Sequence, residues 1–353
     1  MKILLIKMSS LGDAIHTLPA ITDIASLYPN AEITWAVEPN FAAIPAMHPA
    51  ITHIISTPLR NIKKNIMSKQ SISTLTQIRH ELNKQQYDLV IDAQGLLKSS
   101  LLSKIANGKN FGYCRKSARE AISAIFYKNK ISIAKNQHAV MRTKKLCAAA
   151  LKYDMPQEIN YGITATNQTT DPYVILFHGT TWASKHYPQE QWLHLIKIIT
   201  TAGFKVKIPW GNQVEYKRAQ QLATIANTEV LPKSSLSELK DIIFNAKGAI
   251  GVDTGLTHLA AALGTPCIGL YGPTDHDLAG NLGQYQAQIS TRRDCAPCQR
   301  ANCCCNKNNH TTIERRNFSG SASKDPNQVP SFLCMGAITP ADIWAKLQSI
   351  WEK

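Results

Sequence analysis

The sequence predicts an α/β chain made of two doubly wound domains with parallel sheets. Two observations carry that expectation. Short, almost continuous apolar runs alternate with amphipathic helical stretches along most of the chain. The alternation breaks once, over residues 154–172, where hydrophobic periodicity gives way to Pro, Thr and Asn. A length of 353 residues accommodates two domains of ordinary size. An apolar content of 44% with 18% charged residues describes a globular chain, not a disordered one.

In order, Ile3–Ile6 is a buried strand followed by a short loop and a helix from about Asp13 to Leu27, kinked at Pro19. The loop is not the Gly-rich dinucleotide fingerprint. Strands follow at Ile33–Val37 and Ile51–Ser56, then a basic loop at Arg60–Lys64 and a polar helix near Ser73–Gln85. Tyr87–Asp92 is a further buried strand, leading through Ala93-Gln94-Gly95 into a helix near Leu96–Ala106. Lys109–Arg119 reads as a basic loop, before helices near Ala118–Tyr127 and His138–Lys152.

The second half repeats the theme. Tyr173–Phe177 is a strand, His178–Pro188 a loop, and Pro188–Thr201 a helix ended by Gly203. Strand Phe204–Ile208, helix Val214–Ala226, strand Thr228–Leu231 and helix Leu236–Asn245 lead to strand Ala249–Val252. A tight turn then opens a helix at Thr254 that runs to Leu263, with Gly264 as its left-handed cap and Cys267–Tyr271 as the next strand. About sixty polar residues with little pattern precede a last helix, Pro340–Trp351. The expected organisation is an N-terminal domain over 1–160, a linker over 161–172, and a C-terminal domain over 173–339 carrying a Cys-rich insertion at 290–334. A terminal helix at 340–353 closes the chain. Two such domains are expected to face each other across a cleft.

Charge is divided unequally. Residues 1–153 hold 21 Lys and Arg against 8 Asp and Glu, a balance of +13 out of a total of +15. The N-terminal half is thus expected to meet a polyanion or an anionic membrane surface. No apolar run is long enough to cross a bilayer, and the N-terminus reads as a first strand, not a signal peptide, so a cytoplasmic location is expected. Nine cysteines, six of them between Cys295 and Cys334, point to metal binding or free thiols. Cys295, Cys298, Cys305 and Cys334 are the candidate structural ligands, although their spacing is poor for zinc.

Several residues are candidates for chemistry. The turn Asp253-Thr254-Gly255-Leu256-Thr257-His258 takes a strand straight into a helix N-terminus, whose open N–H groups and dipole suit a phosphate, with the Thr254 and Thr257 hydroxyls in support. Lys185, among Thr180, Thr181 and Ser184, suits a diphosphate leaving group. His178 and His186 read as structural. Asp13 heads the first helix beside Ser9 and Ser10, either as a dipole-stabilising residue or as a general base. Glu215 opens a helix and either caps it or meets ribose hydroxyls. Arg60, Lys63, Lys64 and Arg119 lie in two basic loops that would make an anion-binding rim.

Three segments carry a resemblance: Lys7-Met-Ser-Ser-Leu-Gly-Asp13-Ala-Ile-His-Thr-Leu-Pro19-Ala, Val90-Ile-Asp-Ala-Gln-Gly95-Leu-Leu-Lys-Ser and Val252-Asp-Thr-Gly-Leu-Thr-His258-Leu-Ala-Ala. With Tyr271-Gly-Pro-Thr-Asp275 and Ile208-Pro-Trp-Gly211, they resemble the ADP-heptose:lipopolysaccharide heptosyltransferases, nearest the branch that adds the first heptose. The likeness spans about residues 1–275 and the last helix. The cysteine segment departs from that branch and is more like other branches.

The resemblance implies a GT-B glycosyltransferase fold of two Rossmann-like domains and inverting transfer from ADP-L-glycero-beta-D-manno-heptose to Kdo-lipid A. No cofactor and no catalytic metal are implied, and Asp13 would be the base. Thr180, Thr181 and Lys185 would hold the diphosphate, Glu215 the ribose, Asp253 the heptose, and Thr254, Gly255 and His258 the phosphates or sugar. Ser9, Ser10, Arg60, Lys63, Lys64 and Arg119 would meet the acidic acceptor. The enzyme would work peripherally on the cytoplasmic face of the inner membrane of a Gram-negative cell, without nucleic acid. The alternatives are heptosyltransferase II, or a related GT-B enzyme with another acceptor. From a different class, a zinc-containing nucleic-acid-binding protein predicts bound zinc and salt-sensitive RNA or DNA affinity.

Overall fold

The computed structural model describes residues 1–62, 68–167, 171–291, 293–303 and 333–352. The chain forms two compact units, Met1–Thr164 and Ala165–Lys353. In the first, strands β1 (Lys2–Ile6), β2 (Glu32–Val37), β3 (Ile51–Ser56), β4 (Leu89–Asp92), β5 (Lys109–Tyr113) and β6 (Asn129–Ile131) form one sheet in the order β3-β2-β1-β4-β5-β6. In the second, β7 (Tyr173–Phe177), β8 (Lys205–Ile208), β9 (Thr228–Val230), β10 (Gly248–Val252), β11 (Cys267–Tyr271) and β12 (Gln286–Ser290) are ordered β12-β11-β10-β7-β8-β9. Every pairing is parallel.

Both sheets have the same doubly wound order, and each reverses direction once: between β1 and β4, and between β7 and β10. Loops leaving the carboxyl ends of the two strands diverge at such a reversal, and the crevice they leave is where this architecture takes ligands. The central strands are apolar throughout because helices cover both faces; Ile3–Ile6 and Tyr173–Phe177 are buried.

The sequence boundaries hold for β7, β11 and the helix Pro340–Trp351. That helix packs on Gln189–Thr201 within the second unit, where Phe204, Trp344 and Trp351 form a ring cluster with centroids 5.2–5.8 Å apart. Four expectations need correction. The first helix is two, Leu11–Ile15 and Leu18–Leu27, so Pro19 kinks nothing; it sits in the first turn of the second, where its missing N–H has no partner to lose. Lys109–Tyr113, read as a basic loop, is β5, paired with β4 from Leu89↔Lys109 to Asp92↔Gly112. The segment 121–126 is a 3-10 turn, not an α-helix. The polar stretch after Asp275 supplies an edge strand, β12.

One buried ion pair ties helix Leu18–Leu27 to helix Ala139–Leu151: Lys144 Nζ lies 3.4 Å from Asp23 Oδ2 and also donates to the Glu158 carbonyl. Burial raises the Asp23 carboxyl above its ordinary value, against the pull of Lys144. Asp23→Ala leaves the Lys144 ammonium buried without its carboxylate, and is expected to cost about 3 kcal/mol in denaturant unfolding. A loss below about 0.5 kcal/mol would show that the Glu158 carbonyl suffices.

Candidate active site

At the reversal point of the first sheet, the register Ile6↔Asp92 places the ends of β1 and β4 side by side. Lys7 follows β1, is 8% exposed, and donates from Nζ to the Ala93 carbonyl at 3.1 Å. Gln94 Oε1 accepts the N–H groups of Met8 (3.0 Å) and Ser9 (3.1 Å), pinning the loop before Asp13. Asp92 holds Gln94 in turn, accepting from the N–H groups of Gln94 and Gly95 and from the Tyr127 hydroxyl at 2.6 Å. Asp13 Oδ2 accepts the Ser10 N–H at 2.9 Å and its hydroxyl at 3.3 Å. Lys7 Nζ is 3.8 Å from Asp13 Oδ1, and Arg119 Nη1 is 3.5 Å from Oδ2.

Burial opposes ionisation of Asp13, but the Lys7 charge, the Ser10 N–H and Arg119 together outweigh it. The carboxyl therefore titrates below its ordinary value and stays ionised at neutral pH. Burial also lowers Lys7 from the usual lysine value, with Asp13 pulling the other way. Arg119 remains mostly exposed, a cation beside a carboxylate with room for an acidic ligand. Lys7 and Gln94 carry no role in the sequence reading. The available signal was a lysine ending an otherwise apolar strand.

In the second unit, the loop after β7 and the turn after β10 meet at the other reversal point. Lys185 Nζ is 2.7 Å from Asp253 Oδ2 and lies over the Trp182 ring at 4.4 Å. His258 Nε2 is 3.4 Å from Asp253 Oδ1, and the Thr180 hydroxyl donates to the Asp253 carbonyl at 3.3 Å. Burial works against the Asp253 carboxylate, yet the contacts of His258 and then Lys185 hold the carboxyl well below its ordinary range. Ser184 anchors the loop, donating from N–H to Ala301 O and from its hydroxyl to Arg300 O. Thr181 is exposed in the same loop.

Helix Gly255–Ala262 starts from Thr254 in extended conformation, so its first N–H groups end at the Asp253 turn. One expectation fails here: the Thr257 hydroxyl is buried and donates to Val252 O at 2.7 Å, so it is spent on the fold and not offered to a phosphate. Glu215 is not the helix cap, because Asn212 accepts the N–H groups of Val214 and Glu215. Its Oε2 instead accepts the Gly211 N–H at 2.7 Å, and its carboxyl carbon lies 2.6 Å from where a Cβ on Gly179 would stand. Only glycine fits at 179 with Glu215 in this place. Burial lowers His178 to about 3 and His186 to about 4, with Arg218 adding to both, so these rings are neutral at physiological pH.

The structure thus groups Ser9, Ser10, Asp13 and Arg119 in the first unit, and Thr180, Lys185, Asp253, Thr254, Gly255 and His258 in the second. Arg60 holds its guanidinium 5.1 Å over the Phe41 ring. Lys63, Lys64 and Cys305 lie outside the described residues. Cys295, Cys298, Cys303 and Cys334 are free thiols, and no three His, Cys, Asp or Glu among the described residues are grouped to hold a metal ion. Burial pushes the Cys334 thiol up to about 11, and nearby Cys303, Cys295 and Cys298 push it the same way.

The model of glycosyltransferase family 9 (heptosyltransferase) matches residues 75–309. The chain belongs to glycosyltransferase family 9. As a heptosyltransferase it is an enzyme with the GT-B architecture that the two sheets display. It is 41% identical to lipopolysaccharide heptosyltransferase 1 of Pseudomonas aeruginosa over 86% of this chain and 87% of that protein. It is 42% identical to lipopolysaccharide heptosyltransferase 1 of Escherichia coli K12 over 83% of this chain and 95% of that protein. The structure of E. coli heptosyltransferase WaaC with ADP-2-deoxy-2-fluoro heptose is similar at a TM-score of 0.78 and 40% identity, covering 82% of this chain and 93% of that one. These likenesses place the heptosyltransferase in lipopolysaccharide core synthesis, with the type 1 enzymes. Among its described residues no helix is long and apolar enough to cross a membrane.

Proposed function

We propose that the enzyme transfers L-glycero-D-manno-heptose from ADP-L-glycero-beta-D-manno-heptose to Kdo-lipid A by one inverting displacement. The observation that carries this reading is the pair of charged clusters, each at the reversal point of its own sheet. Asp13 takes the proton of the attacking Kdo hydroxyl as the new bond to the anomeric carbon forms. A carboxylate of depressed pKa is a weak base towards a free alcohol, so transfer of the proton accompanies C–O bond formation and does not precede it. Lys7 and Arg119 keep Asp13 ionised, and Arg119, with Arg60, Lys63 and Lys64, meets acidic groups of the acceptor.

On the donor side, the anomeric carbon–oxygen bond breaks and ADP departs with the electron pair. Lys185 and the N–H groups at the start of helix Gly255–Ala262 neutralise the charge growing on the diphosphate, without a metal. Asp253 fixes the Lys185 ammonium and faces the heptose hydroxyls, His258 and Thr254 position the sugar and phosphates, Thr180 and Thr181 line the diphosphate, and Glu215 meets the ribose. The donor assignment is supported by the ADP-heptose analogue held by the similar E. coli enzyme. The enzyme works at the cytoplasmic face of the inner membrane, in peripheral contact with its anionic lipids.

The test is transfer to Kdo-lipid A from ADP-heptose, UDP-sugars and GDP-sugars in parallel, with and without EDTA. The expected result is one heptose added from ADP-heptose alone, at a rate EDTA leaves unchanged. Equal use of a UDP- or GDP-sugar would overturn the donor assignment, and an acceptor that already bears a heptose working better would overturn the acceptor.

A further inference from the structure

Of the thirteen exposed large apolar side chains among the described residues, five fall between residues 97 and 125. Leu97, Leu101 and Ile105 lie four residues apart on helix Leu97–Ile105 and so form one stripe along its exposed side. Ile122 and Ile125, 54% and 70% exposed, project from the 3-10 turn 121–126, which packs against that helix. The Leu97 N–H donates to Glu120 Oε2 at 2.6 Å, fastening the start of the helix to the start of the turn. The acidic residue of this face is thereby engaged. Lys104, Arg115 and Lys116 are exposed in the same part of the chain. Buried inward-facing residues, such as Leu102 and Ser123, already satisfy the fold, so the outward stripe is not needed for the core.

We infer that this face is a membrane-docking surface that seats the N-terminal unit on an anionic bilayer, its apolar stripe entering the headgroup boundary and its cations meeting lipid phosphates. The inference rests on the proposed lipid-anchored acceptor and goes beyond charge attraction alone. Charge complementarity selects the occupant: residues 1–153 carry 21 Lys and Arg against 8 Asp and Glu, so an isologous contact with a second copy would set cations against cations. An anionic lipid surface matches both the apolar and the basic character. Salt screens only the second of these, so part of the binding survives at high ionic strength.

The test is co-sedimentation of the full chain with vesicles of equal phosphatidylglycerol and phosphatidylcholine, and of phosphatidylcholine alone, at low salt and at about 1 M NaCl. The parent protein is expected on the anionic vesicles, with a measurable fraction retained at high salt. Leu101→Glu and Ile125→Glu should each lower partitioning about tenfold, with thermal melting and ADP affinity unchanged. Complete release by salt, or variants that bind like the parent, would overturn the inference. So would a parent dimer in light scattering that Ile125→Glu dissociates while vesicle binding is untouched, since the face would then join two copies. Because the vesicles contain neither donor nor acceptor, failure here is separate from failure of the transfer reaction, which is followed on Kdo-lipid A without these vesicles.

Discussion

An Asp13→Ala enzyme is expected to lose about 10³-fold in kcat while binding ADP-heptose as tightly as the parent. The donor contacts proposed above belong to the second unit, whereas Asp13 is held by Ser10, Lys7 and Arg119 in the first. Asp13→Asn is the sharper variant, because an amide oxygen can still accept the Ser10 N–H and keep the turn folded while giving up the basic carboxylate. Its loss should match that of Asp13→Ala. Activity near the parent's in either variant would remove Asp13 from the chemistry. The pH dependence carries a sign. The folded carboxyl is depressed, so its ionised form, and the stability it contributes, are present above the ordinary carboxylate value. They disappear only as pH falls through the lower, folded one. The kcat profile should therefore show no Asp13 limb between neutral and mildly acid pH, and a base-type limb near pH 6 would assign proton removal to another group.

The alternation of strands and helices was legible because buried parallel strands must be apolar on both faces, as in Ile3–Ile6 and Tyr173–Phe177. Three strands were not legible, β5, the three-residue β6 and β12, for a related reason. β5 reads Lys-Asn-Phe-Gly-Tyr, and its Gly112 lies under the Tyr127 ring, where a Cβ would come within 2.5 Å; pairing with β4 decides its state, not its own pattern. β12 is a short edge strand, Gln-Ala-Gln-Ile-Ser, in which only Ala287 and Ile289 are apolar. The same division applies to the site. Asp13 and the Asp253–His258 turn announce themselves locally, as an acidic first-turn residue and a strand running into a helix. Lys7 and Gln94 do not, because their contacts, Lys7 with the Ala93 carbonyl and Gln94 with the Met8 N–H, each join residues 86 apart and exist only once β1 and β4 are adjacent. Thr257 shows the converse. Its spacing beside Thr254 suggested a phosphate ligand, but the close approach of Gly251 turns the hydroxyl inward to Val252.

Lys185→Ala is expected to lower kcat/KM about 10²–10³-fold and to weaken ADP binding, because the leaving diphosphate loses its fixed cation. Lys185→Arg should recover little of this. The 2.7 Å contact with Asp253 and the seat over Trp182 fit a compact ammonium, and a planar fork is longer and differently directed. A purely structural role for Lys185 predicts a different pattern, with stability lost, arginine compensating, and ADP affinity unchanged. Stability falls under either role, so arginine rescue and ADP affinity separate the two. The Asp253 carboxyl is depressed, so the stability it contributes is present above the ordinary carboxylate value and is lost as pH falls through the folded one. Without Lys185 that contribution shrinks to what His258 maintains, so Lys185→Ala should melt earlier than the parent at pH 7, by about 2 kcal/mol, with the gap narrowing in strong acid. Asp253→Asn should melt in the same manner but fail differently in catalysis, retaining ADP affinity while losing turnover with ADP-heptose, since it keeps the diphosphate cation and gives up the carboxylate that faces the sugar. If Asp253→Asn instead weakened ADP binding as much as Lys185→Ala does, Asp253 would act only by placing Lys185, and the sugar contact would have to be sought elsewhere in the Thr254–His258 turn.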